Sequence, residues 1–169
     1  AGLAHTCALD DTGVHCWGRN NLNQTDVPSL TNPVAVSAGW NHSCALDDTG
    51  VHCWGANSDN QSTVPPLSNP VAVSAGVSHT CAIDDSGLQC WGDNALGQNN
   101  VPALVSPFVV SAGGAYTCAL DSTGAYCWGL NDFGQSTVAS GLSFTVDNCP
   151  RVANANQLDT DGDGKGDAC

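Results

Sequence analysis

Methionine and glutamate are absent from this 169-residue chain, and all sixteen of its acidic residues are aspartate. Aspartate favours turns, caps and metal loops over helix interiors. No stretch carries an apolar stripe at helical spacing either, so helices are excluded as the main building element. Basic residues are nearly missing: Arg19, Arg151 and Lys165 leave a formal charge of -13. A surface of that sign repels phosphate, which excludes nucleic acid and anionic lipid as partners. No apolar run reaches the roughly 18 residues of a membrane span, which excludes membrane insertion, and no signal peptide is legible. The chain opens at Ala1 without methionine, and so reads as a mature product or an excerpt of a longer one.

What the chain has in excess is glycine (19) and cysteine (10). Paired cysteines in this number suit an oxidising, extracellular setting better than a reducing cytosol. They fall in a repeat. "CALDDTGVHCWG" at 7–18 returns letter for letter at 44–55, and looser copies begin at Cys81 and Cys118. The units open "AGLAHTC", "AGWNHSC", "AGVSHTC" and "AGGAYTC", and each runs to a "VAVS"-like end, so the chain is built from tandem units.

Within a unit, "HTCAL" and "VHCWG" are short β-prone runs joined by "DDTG". These letters fit a four-residue hairpin loop built around a type I turn, with Gly13 taking positive φ. Leu9 then faces Val14, and Cys7 faces Cys16, within disulfide reach. A three-residue loop with a glycine bulge is the rival register, and it would put the two cysteines on opposite faces. The spacing, repeated four times, favours Cys7–Cys16, Cys44–Cys53, Cys81–Cys90 and Cys118–Cys127, with bridges between neighbouring units as the alternative. Each bridge closes a loop of ten residues, worth about 2.5 to 3 kcal/mol in the chain-entropy model.

Trp17, Trp54, Trp91 and Trp128 recur on the strand face opposite the cysteines and are expected to pack one unit on the next. Trp40 stands outside that register and is the candidate for a surface contact. Asn20, Asn57, Asn94 and Asn131, with Gln24, Gln61, Gln98 and Gln135, are expected to satisfy loop backbone groups. Asn23, Asn60, Gly97 and Gly134 precede the glutamines and tolerate the left-handed region, implying a tight turn. His5, His42 and His79 recur in phase, as do His15 and His52. Tyr116, Gln89 and Tyr126 interrupt both series, so strand-surface packing is expected rather than a metal column.

The pattern "AGxxHTCALDDTGVxCWGxNxxxQ" resembles the repeat of the regulator of chromosome condensation family, especially its cysteine-containing secreted versions. The resemblance covers residues 1 to about 144 and implies blade-sized units of a β-propeller, which in that family usually has seven blades. The guanine-nucleotide exchange and chromatin binding of its nuclear members do not transfer, because acidic charge and disulfides contradict both settings. The expected fold is all-β, with four 37-residue propeller-blade-like repeats (1–37, 38–74, 75–111 and 112–146) followed by a small irregular module at 147–169.

That module, "DNCPRVANANQLDTDGDGKGDAC", turns abruptly to aspartate and glycine. Asp159, Asp161, Asp163 and Asp167 occupy positions 1, 3, 5 and 9 of an EF-hand-like loop, with the Lys165 carbonyl at position 7, which points to Ca2+. Asp147, Asn154 and Asn156 are further candidate ligands. The segment resembles a thrombospondin type 3 repeat through Cys149, Pro150, Asn154, Gln157 and Asp159, and the resemblance implies a fifth bridge, Cys149–Cys169.

These readings converge on a secreted, disulfide-stapled, calcium-binding structural or adhesive protein that assembles head to tail with copies of itself. The alternative is a monomeric extracellular propeller that binds a protein or polysaccharide ligand. Assembly by strand exchange is expected, because unit one has no "VAVS" strand before it while "LSFTV" at 142–146 follows unit four. An enzyme is not expected: no catalytic set departs from the repeat register, and bridged cysteines are not nucleophiles.

Overall fold

The computed structural model describes residues 1–140. The run 142–146 and the module 147–169, with its expected calcium ligands and Cys149–Cys169 bridge, lie outside the described residues. All regular structure among the described residues is β, in eleven short strands.

The "HTCALD" and "GVHCWG" runs become hairpins. They pair β1 (His5–Asp10) with β2 (Gly13–Gly18), β4 (His42–Asp47) with β5 (Gly50–Gly55), β7 (His79–Asp84) with β8 (Gly87–Gly92), and β10 (Tyr116–Asp121) with β11 (Gly124–Gly129). Leu9 faces Val14 and Cys7 faces Cys16, as expected, but pairing runs on to Asp10 opposite Gly13, so the loop is the two residues Asp11 and Thr12 rather than four. The bulged register is not adopted. Gly13 takes φ 120°, where a side chain would be strained. The four bridges Cys7–Cys16, Cys44–Cys53, Cys81–Cys90 and Cys118–Cys127 form within units, each with its Cα atoms 4.1 Å apart.

The "AVSA"-type segments supply third strands: β3 (Ala35–Ala38) pairs with β4, β6 (Ala72–Ala75) with β7, and β9 (Val109–Ala112) with β10. Each three-stranded sheet thus joins the end of one sequence unit to the hairpin of the next, offset from the units by three residues. The first sheet holds β1 and β2 alone. The third strands are the inner edges of the blades: Ala75 N donates to Ser37 Oγ at 3.0 Å and Ala112 N to Ser74 Oγ at 2.9 Å, tying each inner strand to the next.

Alternation along the strands decides how blades stack. His42, Cys44 and Leu46 point toward the following blade, while Ser43 and Trp54 point toward the preceding one. The core therefore lies between blades, with Leu46 and Val51 of one against Ala82 and Trp91 of the next.

A candidate binding face and the joints beneath it

After β2, β5, β8 and β11 the chain makes the tight turn expected from its amides. Asn23 and Asn60 adopt φ 62° and 63°, and Gly97 and Gly134 take the same region. Gln24 Oε1 accepts from Leu22 N, Gln61 Oε1 from Asp59 N, Gln98 Oε1 from Leu96 N and Gln135 Oε1 from Phe133 N, each at 2.9 Å. Asn20 Oδ1 closes the other side by accepting from Thr25 N at 2.9 Å, and Asn57, Asn94 and Asn131 do the same in their units. With their side chains so used, Gln24, Gln61 and Gln98 turn their carbonyls to the next blade. Gln24 O accepts from Trp54 Nε1 at 3.0 Å and from Ser43 Oγ at 2.9 Å. Gln61 O receives Trp91 and Thr80, and Gln98 O receives Trp128 and Thr117. Trp54, Trp91 and Trp128 are thus inter-blade packing residues, as expected, whereas Trp17 is exposed.

His15 and His52 lie on the strand surface beside Asp10 and Asp47, as expected, but the other series does not. His5, His42 and His79 are buried between blades. Their Nε2 atoms lie 2.9 Å from Ser43 Oγ, Thr80 Oγ1 and Thr117 Oγ1 respectively. Each hydroxyl already gives its only proton to a glutamine carbonyl, so it must accept from the imidazole. That assigns the proton to Nε2 and leaves Nδ1 bare. All three Nδ1 atoms are buried without a hydrogen-bond partner. Burial pushes His42 down to about 4, with His79 and His5 adding to the effect. Burial also brings His79 to about 4, against an upward pull from Asp93. His5 is lowered by burial and by the amino terminus, partly offset by a hydrogen bond from its imidazole to the backbone of His42. The sequence signal for this joint was a histidine three residues after a glycine and 38 residues before a serine or threonine.

Above these joints lie the loops between inner strand and hairpin. Leu3 N donates to Trp40 O, Trp40 N to Gly76 O and Val77 N to Gly113 O, each at 3.2 Å, so neighbouring loops are laced together. They surround a cavity of about 340 Å³ lined by Gly2, Gly39, Gly76 and Gly113 together with Leu3, Trp40 and Val77. The glutamine turns belong to the same face: Arg19 N donates to Ala4 O and Ala56 N to Asn41 O, both at 2.8 Å. Leu22, Leu96 and Phe133 are exposed there, Phe133 by 94%. Trp40, singled out as a surface residue, stands exposed in the inner arc. Leu3, Val77, Leu22, Leu96 and Phe133 escaped sequence reading, since single apolar letters in loops carry no periodic signal.

The hairpin turns form the opposite face. Asp47 bolts its turn to the preceding segment by accepting from Thr31 N and Thr49 N, each at 2.7 Å. Asp84 and Asp121 take Ser68 N and Val105 N in the same way. Burial acts to raise Asp47, but the bonds from Thr31 and Thr49 and the nearby His52 outweigh it and hold the carboxyl at about 2. Among the described residues no group of three or more His, Cys, Asp or Glu side chains is arranged to hold a metal.

Residues 1–24, 34–61, 71–98 and 109–135 match the family described as Regulator of chromosome condensation (RCC1) repeat. No curated protein matches the chain in sequence. Among solved structures, the chain is similar to the CRINKLY WD40 ectodomain of the Arabidopsis thaliana receptor kinase ACR4, at 28% identity and TM-score 0.62, over 77% of this chain and 48% of that one. The entire ectodomain of the Physcomitrella patens receptor kinase CR4 aligns at 27% identity and TM-score 0.69, over 85% of this chain and 44% of that one. Prp20p of Saccharomyces cerevisiae, studied for its binding to Gsp1p and histones, shares the fold at 20% identity and TM-score 0.67, over 82% and 44%. The chain spans less than half the length of each of these structures.

Proposed function

Because this chain belongs to the regulator of chromosome condensation (RCC1) repeat family and staples every described blade with a disulfide, we propose that it is an extracellular, non-enzymatic binding protein. Its ligand is a protein held on the face formed by the glycine loops and glutamine turns. The observation that carries this reading is where the units differ. Glycine, histidine, threonine, tryptophan and glutamine positions repeat because the joints need them. Within the laced loops, the position after the glycine against the ring (Gly2, Gly39, Gly76, Gly113) reads Leu3, Trp40, Val77 and Gly114, and the exposed position in the turns reads Leu22, Asp59, Leu96 and Phe133. Exposed apolar side chains also occur on the opposite face, but Val34, Val71 and Phe108 there keep one unit position; apolar side chains that change from unit to unit at the same exposed loop positions are the mark of an interaction surface. The likeness to two receptor-kinase ectodomains and the disulfides support an extracellular setting. The test is photo-crosslinking in native extracellular material. Probes at 40 and 133 are expected to capture one protein that probes at 34 and 71, on the opposite face, do not. Equal capture from both faces overturns the reading.

A second reading is self-association: Trp17 of the first hairpin is 55% exposed, a surface that fits a further blade of the same kind, supplied either by the same polypeptide or, head to tail, by a second copy of this chain. Calcium at Asp159, Asp161, Asp163, Asp167 and the Lys165 carbonyl would brace that joint, since hard oxygen donors at alternate residues suit Ca2+. Sedimentation of the full chain should show larger species in calcium than in chelator, and calorimetry should show Asp161→Ala weakening calcium binding. A strictly monomeric chain in calcium removes the second reading and leaves the first.

A further inference from the structure

The binding face and the blade joints share three loops. Gly2, Gly39 and Gly76 lie directly against the imidazoles of His5, His42 and His79, so closely that a Cβ on any of these glycines would collide with the ring. On its other side each ring is committed through Nε2 to the hydroxyl of the next blade. A proton taken up from solvent must therefore sit on Nδ1. There it creates an N–H with no acceptor and a full charge cut off from water. The charged and titratable groups facing the rings are few. His5 faces the Ala1 amine, His42 faces His5 and His79, and His79 faces Asp93, the one group that favours an imidazolium. The element free to yield is the glycine loop, which carries Leu3, Trp40 or Val77 at its tip.

We propose that His5, His42 and His79 are acid-operated latches of the binding face: protonation at Nδ1 loosens the loops beneath Leu3, Trp40 and Val77, so that the face holds its ligand at neutral pH and lets it go in acid. This regulation rests on the binding-face reading, but the latch itself is measurable without any ligand. A ring neutral in the fold and protonated in the unfolded chain stabilises the loop above the ordinary histidine pKa of about 6.5. For His42 and His79 that stabilisation is lost as pH falls toward about 4.

The fourth loop is a control built into the molecule. Gly113 N donates to Tyr116 O at 2.9 Å just as Gly39 N donates to His42 O at 2.9 Å. A Cβ on Gly113 would likewise strike the Tyr116 ring, but a phenol has no basic nitrogen to protonate. Amide hydrogen exchange of the full chain, resolved by NMR at pH 6.5 and pH 4 and corrected for intrinsic rates, should show Gly39 and Gly76 losing about tenfold or more in protection relative to Gly113. Equal change at all four loops, or none, overturns the latch. His42→Tyr, which copies the fourth loop, should abolish the acid response at Gly39 and spare that at Gly76. A folded variant that still responds at Gly39 also overturns it. If this substitution prevents folding, the unsubstituted chain with its internal control still decides. Failure of the cross-linking test would leave these exchange results standing, so the two ideas fail separately.

Discussion

Residues 7–18 and 44–55 are the same twelve letters, folded into the same hairpin with the same bridge, yet they live in different surroundings. Cys44, Ala45 and Leu46 are buried, while Cys7 and Leu9 are half-buried and Ala8 is exposed. Trp54 is 9% exposed and Trp17 55%. The second copy lies between two blades, and the first has a described blade on one side only. The hairpin is thus a product of its own letters, whereas its burial is a property of the stack, as expected of repeats that contact only their neighbours.

The largest effect that could break this comparison is loss of the indole. Trp54→Ala empties a packed joint and abandons the Gln24 carbonyl, so urea unfolding should show a loss of about 3 to 5 kcal/mol. Trp17→Ala should cost under about 1 kcal/mol. Equal losses would show that the first copy is covered after all.

The bridges should behave in the opposite manner. Removing Cys44–Cys53 or Cys7–Cys16 by paired substitution to alanine frees a ten-residue loop in either copy, and both should lose about 2.5 to 3 kcal/mol because the effect lies in the unfolded chain. A markedly greater loss in the second copy would mean that its bridge acts through packing.

The smallest contrast concerns the turn carboxylates. Asp47→Ala abandons the bond from Thr31 N and should cost about 1 to 2 kcal/mol in the same assay. Asp10→Ala removes only bonds within its own turn and side chain, from Thr12 and His15, and should be the milder change. Because Asp47 is held below the ordinary carboxylate range, its contribution is present above that range and lost as pH falls toward about 2. Asp47→Ala should therefore flatten the acid limb of the stability curve.

Legibility followed the length of the interaction along the chain. The Cys7–Cys16 register was readable because a turn of known geometry sets which residues face one another a few places apart. The Asn23 and Asn60 turns were readable because their backbone demands are local. Trp54, Trp91 and Trp128 were readable as packing residues from their phase, although their acceptors, the glutamine carbonyls 30 residues earlier, were not. His5, His42 and His79 were misread as surface packing because their partners lie 38 residues on, across a joint whose geometry depends on how one twisted sheet stacks upon the next. The face bearing Leu3, Val77, Leu96 and Phe133 was likewise hidden, since which loops share an end of the stack is decided by strand direction in each blade.

The sequence by itself determined the hairpins, their bridges, the glutamine turns and the family of the fold, because each follows from steric and hydrogen-bonding preferences acting over about a dozen neighbouring residues. Only the tertiary structure decided which of two identical hairpins is buried, which histidines are sealed off with one nitrogen bare, and which loops meet around the cavity lined by Gly2, Gly39, Gly76 and Gly113. Those outcomes depend on bonds between segments 30 to 38 residues apart, whose registry is set when one blade's cysteine face closes on the next blade's tryptophan face.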